Sequence, residues 1–170
     1  MMTIKKQITL ENISSDKRLT FRGEFMKYGF KYNNIFWANA TPIILLSNLQ
    51  IINYGISLPK PIWINLTKGF QSLGILKTGD KVQFNSKLYK YKTDYQGYCP
   101  EIIQNLKDDY RIFHPSKITL VTKQIRTPWE AENHEICNHI YSIYQDHYVK
   151  RGVLPPYGDF QQIKKSSDSI

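Results

Sequence analysis

The chain has 170 residues, 41% of them hydrophobic and 14% aromatic, enough for one domain with a proper core and too few for two full ones. Its 23 Lys and Arg against 14 Asp and Glu give a formal charge of +9, and no long continuous apolar run occurs, so a helical membrane span is excluded. Cys99 and Cys137 are too few for a disulfide framework, and Met1–Gln7 has two lysines without an apolar stretch behind them, so a reducing, cytoplasmic setting is expected.

The charge is unevenly spread. Residues 1–126 carry 19 Lys/Arg and 8 Asp/Glu, whereas residues 127–170 carry 4 and 6. A basic first three quarters favours a polyanionic partner, nucleic acid or an anionic surface. An AT-rich genome, which loads a protein with Lys, Asn, Ile and Tyr, would produce the same composition without function.

Gln7–Ile13 alternates as a short strand and ends at Ser14-Ser15-Asp16. Arg18–Tyr28 is a longer extended run with Leu19, Phe21, Gly23 and Phe25 on one face. Gly23 in mid-strand predicts a bulge, a sharp coil of the sheet or a close backbone approach. Lys27–Asn34 reads as a turn-like segment carrying Tyr28, Phe30 and Tyr32, with Phe36 and Trp37 behind it. Exposed aromatics on a loop need a cover or a ligand; the docked reading is given to Phe36 and Trp37, the ligand reading to Tyr28, Phe30 and Tyr32.

Ile43–Leu46 and Leu49–Ile52 are β-branched apolar runs, read as buried strand. Asn53-Tyr54-Gly55 and Pro59-Lys60-Pro61 bound a connection, and Ile62–Leu66 alternates as a short strand. In Lys68–Leu73 the spacing of Phe70 and Leu73, with Gly74 as a stop, predicts one or two turns of helix. The turn at Gly79-Asp80 then launches a long strand whose apolar face is Val82, Phe84, Ser86 and Leu88, and whose other face is Lys81, Gln83, Asn85, Lys87, Tyr89 and Tyr91. Residues 93–107 read as a long loop tipped by tyrosines. Asp108–Pro115 and Lys117–Lys123 form the last strand, with a bulge or an edge at Pro115.

Thr127-Pro128-Trp129-Glu130 matches a capping box, and Ile136, Ile140, Ile143, Tyr144 and Tyr148 recur at helical spacing up to Lys150-Arg151-Gly152. One amphipathic helix is expected over 127–152. An extended tail follows over 153–170, partly disordered at its end.

The expected fold is mainly β: a five-stranded barrel with a short helix between strands 3 and 4, occupying 1–126, then the C-terminal amphipathic helix. In this order of elements, and in the short helix Lys68–Leu73, the turn Leu76–Lys81 and the strand Val82-Gln83-Phe84, residues 16–123 resemble small basic OB-fold proteins of Gram-positive bacteria and their mobile elements. The spacing between Ile43 and Ile62 departs from that pattern by leaving room for an extra strand. The resemblance implies non-catalytic binding of single-stranded nucleic acid, DNA favoured, in replication, repair or mobile-element maintenance. It places the ligand on strands 2 and 3, walled by the loops after strands 1 and 4. Arg22, Lys27, Tyr28, Phe30, Lys31 and Tyr32 would then act with Lys87, Tyr89, Tyr91, Lys92, Tyr95 and Tyr98, as lysines and tyrosines that grip phosphates and stack bases.

Other chemistries find less in the chain. His134, Cys137 and His139 lie close in sequence, but His139 is turned away from the other two on a helix, and His134–Asn138 lacks the second histidine of a metalloprotease. There is no nucleophile elbow and no phosphate loop, and a carboxylate centre would need Asp80, Asp94, Asp108 and Asp109 to converge. Neither enzymatic activity nor a cofactor is therefore expected. The rival reading is a protein-interaction module, or an inhibitor of a host nucleic-acid enzyme, presenting Trp129, Tyr141, Tyr144 and Tyr148 from the C-terminal helix; the commonest use of such a helix is to plug the open end of the barrel.

Overall fold

In a computed structural model, residues 9–10, 13–14, 16–32, 39–91, 109–122 and 124–157 are described, the side chains of Lys90, Tyr91 and Asp109 excepted. The elements run β1 (Arg18–Tyr32), β2 (Ala40–Ile51), β3 (Ile56–Ser57), β4 (Ile62–Asn65), α1 (Lys68–Gln71), β5 (Lys81–Tyr91), β6 (Asp109–Leu120), α2 (Asn133–Ile143) and α3 (Gln145–Lys150). The strands form one six-stranded antiparallel sheet in the order β3-β2-β1-β5-β6, with β4 also paired to β2. The expected five-stranded closed barrel is therefore corrected to an open sheet. β4 and β6 approach without a ladder, and α1 packs against β6, where a Cβ on Gly69 would stand 2.6 Å from Ile118 Cδ1. The extra strand is β3, which shares the outer edge of β2 with β4.

β1 organises the sheet. Arg18–Glu24 pairs with β5 while Phe21–Tyr32 pairs with β2, so the strand must bend to serve both. The register on β2 slips across Gly23, and the extra residue on the β2 side is accommodated by Asn48 at a left-handed φ of 49°. A Cβ on Gly23 would stand 2.7 Å from Leu49 Cδ2, so the bulge expected at this glycine is present, and what approaches it most closely is a side chain rather than the expected backbone. Beyond Glu24, β1 holds the turn before β5 directly: Phe25 N–H donates to Asp80 O (2.8 Å) and Gly79 N–H to Phe25 O (3.0 Å).

β6 is one strand rather than two runs. It carries two bulges opposite β5, with His114 and Lys117 at φ of 53° and 49° on either side of Pro115, and it is also an edge of the sheet. The Arg18 guanidinium fastens the first bulge through His114 O (2.7 Å) and Ser116 Oγ (2.6 Å). Leu10 lies in a 3₁₀ turn and Ile13 in a bend, so the strand expected over 7–13 does not form at the described positions.

The core lies on the concave side of the sheet. Phe21 stacks on Phe84 (centroids 5.5 Å apart), Phe70 of α1 meets Phe84 edge-on (5.3 Å), and Val82, Phe84, Ser86 and Leu88 all point inward as their alternation predicts. The C-terminal segment covers the other end of this core. Thr127-Pro128-Trp129-Glu130 is not a helix start: Thr127 O accepts the Ile75 N–H (2.7 Å), and α2 begins only at Asn133. The expected single helix is divided at Tyr144 (φ −113°, ψ 28°) into α2 and α3. α3 ends on Gly152 at φ 70°, with Val153 N–H on Tyr148 O (2.9 Å) and Gly152 N–H on Val149 O (3.1 Å), the paired bonds of a Schellman terminus.

Candidate nucleic-acid interface

The residues expected to stack bases from the first loop lie elsewhere. Tyr28, Phe30 and Tyr32 belong to β1 and are buried at 2%, 0% and 8% exposure. Tyr28 packs against Phe25 (4.4 Å) and edge-on to Trp129 (4.8 Å), and its hydroxyl accepts the Leu76 N–H at 2.8 Å. Burial pushes its ionisation well above the usual tyrosine range. Phe30 meets Tyr148 at 5.3 Å and Tyr32 at 6.0 Å. These rings sit between sheet and helices and present no face to a ligand; what reads as an aromatic loop is strand, because its alternate residues have α2 and α3 to pack against.

The helix aromatics are the other half of the same cluster. Tyr141 and Tyr148 are buried and stacked on each other (5.1 Å, 9°), the Tyr144 hydroxyl accepts the Tyr28 N–H at 3.1 Å, and half-buried Trp129 faces Tyr28. The surface expected to recognise a protein through these four residues is thus turned onto the sheet. Tyr141 OH donates to Val153 O (2.7 Å) and Tyr157 OH to Ala40 O (3.0 Å), tying the segment down at both ends.

The residues considered for metal or acid chemistry are dispersed. Cys137 is fully buried with its thiol 3.6 Å from Ala40 O, and desolvation pushes its pKa up to about 12. His139 Nδ1 lies 2.7 Å from Glu130 Oε1, whereas the His134 ring faces Tyr157. Among the described residues no group of three His, Cys, Asp or Glu side chains gathers as a metal site. Asp80 accepts the Lys77 N–H (2.9 Å) and pairs with the buried Arg126 guanidinium, so it closes the turn and anchors the chain after β6. Asp94 and Asp108, and the side chain of Asp109, lie outside the described residues.

What remains of the expected site is on the convex face of β1, β5 and β6. Arg22, Lys87 and Tyr89 stand there together, joined by Arg18, Lys81, Arg111 and Phe113. Cross-strand register places Arg18 beside Lys87 and Lys87 beside Phe113, Tyr89 beside Arg111, and Arg22 beside Gln83. The Arg22 guanidinium is oriented by Gln83 Oε1, 2.7 Å from Nη2 and 3.2 Å from Nε. Tyr89 and Phe113 meet edge-on at 5.0 Å and are half-buried. Among the described side chains of this face the acid is Glu24, at the far end beside Lys81, with Asn48 Nδ2 3.3 Å from its carboxylate.

Lys27 is on β1 further along, with its ammonium 5.8 Å from the Trp63 ring centroid; Lys31 is half-buried in the same strand. Tyr91 closes β5 opposite Asp109, its side chain outside the described residues, as are Lys92, Tyr95 and Tyr98 entirely. Sequence reasoning missed Arg18, Arg111 and Phe113. The alternation of Arg111 and Phe113 around buried Ile112 marked them as one face of a strand, but only the register showed that this face continues that of Lys87 and Tyr89.

The molecule is thus a mainly β protein whose concave side is closed by helices and whose convex side carries cations and aromatics in cross-strand register. No helix among the described residues is long and apolar enough to cross a membrane. No protein-family model, curated protein or solved structure matches the chain.

Proposed function

We propose that the protein binds single-stranded nucleic acid, DNA before RNA, without catalysing a reaction on it, through the convex face of β1, β5 and β6. The observation that carries this reading is the assembly of Arg18, Arg22, Lys81, Lys87 and Arg111 around Tyr89 and Phe113 on one face, with Glu24 as the acid among its described side chains. Cations on such a surface bind the phosphate backbone by releasing counterions, and aromatic faces accept unpaired bases of any sequence. The pairing order β4-β2-β1-β5-β6, with α1 between β4 and β5, supports reading the sheet as an OB-type barrel left open between β4 and β6. Replication, repair or maintenance of a mobile element is the setting that the resemblance in residues 16–123 implies.

The test is fluorescence anisotropy with labelled single-stranded DNA, single-stranded RNA and duplex DNA at low and moderate salt. The expected result is tightest binding to single-stranded DNA, weakening as salt rises. Binding to none of the three, or binding indifferent to salt, overturns the proposal.

A second reading, a protein-interaction module acting from the helices, is supported by the exposure of Ile143, Val149 and Leu154 at 43%, 60% and 79% rather than by the four aromatics first considered.

A further inference from the structure

The outer residues of β5 and β6 form a two-by-two arrangement. Lys87 lies opposite Phe113 and Tyr89 opposite Arg111, so aromatics occupy one diagonal and cations the other. Residues directly opposite on an antiparallel pair have Cβ atoms about 5 Å apart, and the diagonal is about 7–8 Å. The two rings close their diagonal to a centroid distance of 5.0 Å at an angle of 90°. Neither ring belongs to the buried core, which holds Leu88 and Ile112 from the same two strands on the opposite face. Burial in that core therefore does not explain them.

Edge-on contact leaves at least one π-face of the pair uncovered by the other ring, and the two cations flank it from opposite corners. A guanidinium with five donors and an ammonium with three are both suited to phosphate oxygens.

We infer that Lys87, Tyr89, Arg111 and Phe113 form a subsite for one unpaired nucleotide, its base stacked on the Tyr89–Phe113 pair and its two neighbouring phosphates held by Lys87 and Arg111. The inference rests on the proposed single-strand binding and deepens it: the rest of the convex face holds backbone only, and this corner is where a base is engaged. A base stacked on a protein ring must be free of its own helical stack, so the subsite selects against duplex. Stacking on a ring accepts the π-face of any base, so the subsite is sequence-tolerant.

The experiment measures anisotropy of the full chain with a labelled eight-nucleotide oligothymidylate and with an eight-unit abasic deoxyribose-phosphate oligomer, which keeps the charges and removes the bases. Wild-type protein is expected to bind the thymidylate about tenfold more tightly than the abasic oligomer. Tyr89→Leu and, independently, Phe113→Leu are expected to erase that difference while leaving the salt dependence unchanged. Lys87→Ala is expected instead to reduce the salt slope for both ligands by about 0.7.

Equal affinity of the wild type for the two oligomers overturns the subsite and needs no variant to fold. Full base discrimination by both leucine variants, shown folded by circular dichroism, overturns it as well. Failure of the wild type to bind either oligomer removes the single-strand reading itself, and with it the subsite.

Discussion

Asp80 is where a local signal and a distant one meet. Its turn was legible because Gly79-Asp80 supplies a left-handed glycine (φ 93°) and a carboxylate for the Lys77 N–H. Its ion pair was not, because Arg126 stands 46 positions away and sequence attaches no partner to it. Both side chains are buried, at 4% for Arg126 and 7% for Asp80, so removing one leaves the other charge without compensation. Arg126→Met is expected to cost about 3 kcal/mol in urea unfolding, and the double variant with Asp80→Asn less than the sum of the single changes. Gly74→Ala combines a left-handed φ of 83° with a Cβ 2.9 Å from Thr127 O, a backbone atom that cannot yield, and is expected to destabilise more than Gly23→Ala, where a leucine side chain can move. Cys137 and Tyr28 both have raised pKa values from burial, so the unfolded chain releases their protons first. Their contribution is whole below pH 9.0, the thiol's ordinary value, and is lost as pH climbs toward 12, by at most about 1.4 kcal/mol per pH unit and group. Urea midpoints measured from pH 8 to 11 should fall on the alkaline side, and Cys137→Ala should delay the onset toward pH 10, where Tyr28 takes over.

At the scale of elements, α2 and α3 behave as the lid of the core. Ile136, Cys137 and Ile140 are fully buried and Tyr148 is 1% exposed, while the Tyr144 hydroxyl accepts the Tyr28 N–H of β1. Deleting residues 127–170 is therefore expected to yield a chain without cooperative thermal unfolding and with raised binding of a hydrophobic dye. A truncated protein that melts cooperatively would show the helices to be an appendage. The helical periodicity was legible at Ile136, Ile140 and Tyr148, but Ile143 is exposed because the axis breaks at Tyr144. The capping pattern Thr127–Glu130 misled for a physical reason. A capping box competes with every other use of the same backbone, and here Thr127 O is committed to Ile75 and Trp129 to Tyr28.

Across the whole molecule, the basic charge of residues 1–126 becomes meaningful through register. β1, β5 and β6 are separated by long intervals of chain, and pairing lines up Arg18, Arg22, Lys87 and Arg111 on one convex surface. Reversing two of these charges with Arg22→Glu and Lys87→Glu is expected to abolish measurable single-strand binding at moderate salt and to flatten the salt dependence, with little effect on the melting temperature because both sites face outward. The same pair of changes placed at Lys60 and Lys77, exposed but off this face, should leave the affinity within about twofold.

Periodicity, turn chemistry and glycine placement by themselves determined that β-strands dominate, that Val82, Phe84, Ser86 and Leu88 point inward, that a short helix follows β4 and that the pairing of β1 is irregular at Gly23. Each of those depends on residues within a few positions of one another. Only the tertiary structure decided that the sheet is open between β4 and β6, that Tyr28, Phe30 and Tyr32 are core, and that the cations of three strands share a face. Those outcomes depend on which distant segment supplies the other half of a contact: α2 and α3 for the aromatics of β1, Arg126 for Asp80, β6 for Tyr89. An aromatic residue on a strand is equally fit to be buried or to bind, and its local sequence is the same in both cases.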